Sequence, residues 1–194
     1  MKTVIIQPER CLGCLQCRLA CAVEHSRAKE LVAAIQEQVV PRARLRIYPG
    51  RQHLAFPNKC RHCEPAPCQQ VCIAGAICRT PRGTVDIDPE RCINCAMCAM
   101  ACPFGVLTYA SLYLAPEKAA VALKCDQCPD REAAGRLPAC VEACKVGALT
   151  YGEWQETQED KGRALARAFF TSLPASQETA SSLPATIRVW RQLS

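Results

Sequence analysis

Aromatic residues are scarce in this chain: Phe, Trp and Tyr together make up 5% of its 194 residues. A large interior built on aromatic side chains is therefore excluded, and something else must hold the fold together. Histidine is scarcer still, with three in the sequence. None has the neighbours of a catalytic base, and no nucleophile–base set points to an organic substrate. Long apolar runs are missing too. The opening M-K-T-V-I-I-Q-P-E-R has an apolar stretch that ends at Gln7-Pro8, too short for a secretory leader. No twin-arginine leader or C-terminal prenylation box is present, and no stretch is long enough to span a bilayer. The expected location is the cytoplasm, where thiols stay reduced and disulfides are rare.

What the sequence has in excess is cysteine, with 17 residues. Sixteen fall into four groups: Cys11, Cys14, Cys17, Cys21; Cys60, Cys63, Cys68, Cys72; Cys92, Cys95, Cys98, Cys102; and Cys125, Cys128, Cys140, Cys144. Groups one and three have the spacing C-x2-C-x2-C-x3-C, and group three adds Pro103, completing the bacterial ferredoxin run. The spacing has a geometric reason. A cubane of four irons wants one thiolate at each corner. Three cysteines on a tight loop reach three corners, and the fourth, in the next helical turn, points towards a second cube. Zinc knuckles use two C-x2-C pairs and do not usually carry a third cysteine at the same interval. Four groups of four therefore predict four 4Fe-4S clusters.

The formal net charge of +6 counts these cysteines as neutral. A cubane with four thiolates carries about −2, so four of them bring the protein to about −2 overall. The basic residues then compensate buried negative charge. No nucleic-acid module or aromatic platform accompanies them, so nucleic acid is not an expected partner.

The chain also repeats itself. V-I-I-Q-P-E-R-C-L-G-C (4–14) matches V-D-I-D-P-E-R-C-I-N-C (85–95), and C-I-A-G-A-I (72–77) echoes C-K-V-G-A-L (144–149). Residues 73–91 read as a hairpin, 76–79 and 84–87 around Pro81-Arg82-Gly83, which joins groups two and three. Residues 22–59 contain a helical stretch instead. Strand-like 2–6 and 147–151 can pair across the chain, uniting groups one and four. The expected fold class is α+β. Two fused bacterial-ferredoxin-like units, the central one (56–109) inserted into an outer one (1–55 and 110–152), place short hairpins and helices around the clusters. Exchange of the fourth cysteine gives four ligand sets: Cys11, Cys14, Cys17, Cys144; Cys125, Cys128, Cys140, Cys21; Cys60, Cys63, Cys68, Cys102; and Cys92, Cys95, Cys98, Cys72.

The remaining residues read more plainly. Cys78 falls on the hairpin, off any ligand loop, and is expected to be a small buried apolar residue. His25 and His62 lie beside or within ligand groups and are expected to tune potential through hydrogen bonds to sulfur. Residues 26–38 predict an amphipathic helix with Leu31, Ala34 and Ile35 on one face. A C-terminal extension, 153–194, holds a basic helix candidate at 161–173, a Ser/Ala/Pro-rich linker and a final segment with Trp190, and is a candidate partner-docking segment.

At the level of its cysteine groups, residues 1–152 resemble the four-cluster ferredoxin-type subunits of multi-subunit oxidoreductases. Finer stretches, C-L-G-C-L-Q-C-R-L-A-C-A-V-E-H-S, A-I-Q-E-Q-V-V-P-R, F-P-N-K-C-R-H-C-E-P-A-P-C, C-P-F-G and L-K-C-D-Q-C-P-D-R-E, resemble the CooF-like iron–sulfur partners of nickel carbon monoxide dehydrogenase. The resemblance implies an electron-transfer subunit, not an enzyme in itself. Its electrons would come from carbon monoxide dehydrogenase and leave towards a membrane-associated hydrogenase or another redox acceptor. Any attachment to the inner face of the membrane would run through those partners. The same role beside a hydrogenase, formate dehydrogenase or tungsten or molybdenum oxidoreductase is the alternative. Groups one, two and four depart from the Cys-Pro ending, with Ala22, Ile73 and Lys145 in its place.

Overall fold

The computed structural model describes residues 2–50, 54–112 and 120–172. Its strands are short and pair two by two, each pair antiparallel. β1 (Lys2–Ile6) pairs with β8 (Leu149–Glu153), in a register that sets Ile6 against Leu149 and Lys2 against Glu153. β2 (Arg46–Pro49) pairs with β3 (Ala55–Asn58), β4 (Ile77–Arg79) with β5 (Val85–Ile87), and β6 (Thr108–Ala110) with β7 (Val121–Leu123). Two-stranded ribbons are marginal on their own, so each must be held by what it packs against.

The helices are short as well: α1 (Gln16–Glu24), α2 (Leu31–Ile35), α3 (Pro67–Gln70), α4 (Met97–Ala101), α5 (Pro129–Ala133) and α6 (Ala139–Glu142). Cysteine takes the place of large apolar side chains between them. One core cluster sets Cys60 and Cys98 among Ile77, Val85, Val106 and Leu107; another sets Cys17, Cys21 and Cys140 among Val4, Leu45 and Leu149. Among the described residues, the largest fully buried side chains, headed by Gln127, Val85 and Val121, include no aromatic ring. The scarcity of aromatic residues thus carries through to the packing.

Met1–Trp154 form one compact unit and Gln155–Ser194 a second. What is described of the second is a long helix, α7 (Trp154–Ser172). It starts seven residues before the expected 161, because W-Q-E-T-Q-E-D is rich in helix-forming Gln and Glu without an apolar stripe to reveal it. The linker after Leu173 and Trp190 lie outside the described residues. No helix among the described residues is long and apolar enough to cross a membrane.

Three expectations need correction. The helix expected over 26–38 shrinks to five residues. The Ser26 hydroxyl donates to the Val23 carbonyl (2.6 Å) and accepts from the Lys29 N–H (2.9 Å), closing a turn where a helix was expected. Glu30 then caps α2, its carboxylate accepting from the N–H groups of Val32 and Ala33. Only Ala34 of the expected face is buried; Ile35 is 75% exposed. The stretch between groups one and two also holds the β2–β3 ribbon, which Pro49 and Pro57 disguise in the sequence. Finally, Cys78 is exposed. It is the middle residue of β4, where alternation turns Ile77 inward and Cys78 outward.

Candidate metal centres

Each cysteine group opens with a C-x-x-C loop of the same backbone shape. The residue before the second cysteine has positive φ in all four: Gly13 (70°), His62 (51°), Asn94 (57°) and Gln127 (65°). Leu15 (63°) and Ala96 (64°) repeat the turn one step on, as the N-caps of α1 and α4. For a residue with a Cβ this conformation costs about 1–2 kcal/mol, so it persists only where the surroundings enforce it. The loop thereby curls round its own sulfurs, and backbone N–H groups turn towards them. Within a loop the His62 N–H donates to Cys60 Sγ (3.4 Å); from outside the loops the N–H of Arg44 donates to Cys21 Sγ (3.2 Å) and that of Ala122 to Cys92 Sγ (3.5 Å). The Tyr109 hydroxyl lies 3.3 Å from Cys98 Sγ.

The loops bring cysteines of different groups together. Cys21, Cys125, Cys128 and Cys140 line one cavity. Cys72, Cys92, Cys95 and Cys98 line a second, and Cys60, Cys63, Cys68 and Cys102 a third. Cys17 lies in the electrostatic field of Cys144, Cys11 and Cys14, and Cys144 packs beside Cys11. In each gathering three cysteines come from one group and one from another. α1 shows how: Cys17 and Cys21 are one helical turn apart and reach two different gatherings.

The donor set suits a cofactor larger than one ion. A tetrahedral zinc centre with Zn–S near 2.3 Å holds its sulfurs about 3.8 Å apart. Every cysteine is among the described residues, yet no three of their sulfurs lie mutually within 4.8 Å. Burial also opposes bare thiolates. It raises the Cys17 thiol to about 11 and Cys128 to about 12, and pushes Cys21 and Cys140 well above the ordinary thiol range. Deprotonated thiols in such cavities call for bound positive charge, which iron in a sulfide cluster supplies.

Around the first cavity a polar network crosses long stretches of sequence. Burial pushes the Asp126 carboxyl up, but His25, Arg44 and the Cys128 N–H overcome it and hold the group well below the usual carboxylate range. His25 Nε2 lies 3.2 Å from the carboxylate, and Nδ1 lies 2.7 Å from the Cys21 carbonyl and 3.7 Å from its sulfur. His25, Asp126 and Cys128 are the one compact set of metal-capable atoms among the described residues; Asp126 draws it together, meeting His25 Nε2 and accepting from the Cys128 N–H (3.0 Å). His62 differs from expectation. Its backbone N–H, not its ring, meets a sulfur; Nδ1 accepts from the Val85 N–H (3.0 Å), and Nε2 is buried without a partner. Arg44, Asp126 and two buried lysines, Lys59 and Lys124, escaped the sequence reading. The lysines had a signal: each directly precedes the first cysteine of its group.

Comparison with known proteins agrees with this chemistry. Residues 51–154 match the family described as the 4Fe-4S dicluster domain. An iron-sulfur protein of Rhodospirillum rubrum is 41% identical over 152 residues, covering 75% of this chain and 79% of the relative. The thiosulfate reductase electron transfer subunit PhsB of Salmonella typhi is also 41% identical over 152 residues (77% and 74%). The electron transport protein HydN of Escherichia coli K12 is 36% identical over 156 residues (75% and 85%). The chain belongs to the 4Fe-4S dicluster family of ferredoxin-type electron-transfer proteins, carriers of electrons rather than catalysts.

Proposed function

We propose that sixteen cysteines hold four 4Fe-4S clusters and that the chain relays single electrons through them. The ligand sets are Cys11, Cys14, Cys17, Cys144; Cys21, Cys125, Cys128, Cys140; Cys60, Cys63, Cys68, Cys102; and Cys72, Cys92, Cys95, Cys98. The observation that carries this reading is the lining of three cavities by four cysteines each, three from one group and one from another. Each cluster supplies one-electron redox chemistry. The chain's own part is to exclude water, to donate N–H groups to sulfur and to set the local charge. Two nested units, 56–109 within 1–55 and 110–152, are supported by the β4–β5 pairing inside the central segment and the β1–β8 pairing between the outer ones.

The donor proposed is carbon monoxide dehydrogenase and the acceptor a membrane-associated hydrogenase. This rests on the stretches around the four groups quoted above, C-P-F-G of group three included. Purification with the native partner under anaerobic conditions, followed by exposure to CO, tests it. Bleaching of the visible iron–sulfur absorption and nickel in the co-purifying protein are expected. Failure of CO to bleach clusters that dithionite does bleach overturns the donor while keeping the relay. The 41% identity to a thiosulfate reductase electron transfer subunit favours a second reading, service to another oxidoreductase such as a formate dehydrogenase. Molybdenum or tungsten in the partner would select it.

A further inference from the structure

Groups two and four open alike, with N-K-C-R-H-C (58–63) and L-K-C-D-Q-C (123–128). A strand leads into each, β3 before Lys59 and β7 before Lys124, so both lysines enter their loops at equivalent places. Both are buried, at 3% and 4% exposure. No carboxylate among the described residues forms an ion pair with either. Lys59 Nζ has Thr3 Oγ1 at 3.4 Å, and Lys124 Nζ donates to the carbonyls of Val85 and Cys125. Lys124 also lines a cavity with Asp86 and Asp126 but forms an ion pair with neither; an interior ammonium whose direct contacts are neutral groups is unfavourable and asks for an anion close by.

The cavities show where the anion belongs, and the arrangement is crossed. Lys59 stands next to Cys60 in sequence but lines the cavity of Cys21, Cys125, Cys128 and Cys140. Lys124 stands next to Cys125 but lines the cavity of Cys60, Cys63, Cys68 and Cys102. We propose that Lys59 and Lys124 are a reciprocal pair of positioning cations, each sent by one loop to the iron–sulfur group held by the other. This rests on the cluster reading above. Reduction of either site by a redox partner adds one electron, and with it one negative charge, beside a fixed ammonium. Each lysine thereby raises the potential of the site across from it, making these two sites the favoured resting places for electrons.

The test uses the full chain purified anaerobically, with potentiometric titration followed by electron paramagnetic resonance. Signals are assigned with Cys128→Ser and Cys63→Ser, each of which alters one of the two sites. Lys59→Met is expected to shift the Cys128 site most, to more negative potential. Lys124→Met is expected to do the same at the Cys63 site, and Lys59→Arg and Lys124→Arg to keep potentials near the parent values. Unmoved potentials in fully loaded Met variants, or a larger shift at the lysine's own loop, overturn the pairing. If a Met variant loses iron, loss confined to the crossed site supports the proposal, and loss elsewhere sinks it. A parent chain without iron or acid-labile sulfide would defeat the cluster reading itself, a distinct outcome.

Discussion

At the residue scale the cysteines divide into those that meet others and one that does not. Cys140 is buried in a cavity with three partners, while Cys78 faces outward from β4. Cys140→Ser is expected to remove or convert one cluster, seen as a fall of up to about a quarter in iron per chain; Cys78→Ser leaves iron content unchanged. A second prediction concerns Arg131. It is buried, donates to the Leu137 carbonyl (2.7 Å) and to Glu24 (2.9 Å), and pairs with Glu142. Arg131→Met leaves the largely buried Glu24 carboxylate with only the half-exposed Lys29 ammonium at 3.5 Å. With Glu142 well exposed, the expected cost is about 2 kcal/mol, measured as a lower urea midpoint for loss of the visible chromophore. The sixteen grouped cysteines were legible from their spacing alone. Cys78 was not, because a three-residue strand is too short to display its alternation. Nor was the role of His62: its positive φ aims the backbone N–H at sulfur and sends the ring to Val85. Asp126 was invisible for another reason, since its partners His25 and Arg44 lie 101 and 82 positions away.

At the scale of elements, the ligand loops depend on a backbone shape that few residues accept. Gly13 has φ +70°, and a Cβ there would sit 3.3 Å from the Ala55 side chain. The corresponding residue in group three is Asn94, which tolerates this conformation. Gly13→Asn is therefore expected to be nearly silent. Gly13→Val is expected to cost about 1–2 kcal/mol and to lower iron retention during anaerobic gel filtration. The hairpin of β4 and β5 was readable because Pro81-Arg82-Gly83 marks its turn, and β1 with β8 because both carry apolar runs. The β2–β3 ribbon was not, because Pro49 and Pro57 read as strand breakers, nor was β6–β7, whose three-residue strands are too short to display alternation. α7 calls for its own test. Its Leu165 and Phe169 are exposed, and its residues from 155 onward form a separate unit. A chain ending at Trp154 is expected to keep its full iron and sulfide content.

At the scale of the whole molecule, charge and assembly order follow from what the fold gathers. The sequence alone carries +6. With four clusters, each about −2 with its thiolates, the loaded protein falls to about −2. Loaded material should therefore pass a cation exchanger at neutral pH that retains the iron-free chain, and a loaded chain that behaves as a strong cation would contradict the count of four. The pairing of β1 with β8 has a temporal consequence. Strand partners Lys2 and Glu153 are among the first and last residues of the larger unit to leave the ribosome, whereas β4 and β5 emerge almost together. Local contacts form early and distant ones late. On the proposed ligand sets, the cysteines at 11, 14 and 17 would wait, exposed and reduced, until Cys144 has been synthesised, which would leave group one open to oxygen for longer during synthesis than groups two and three.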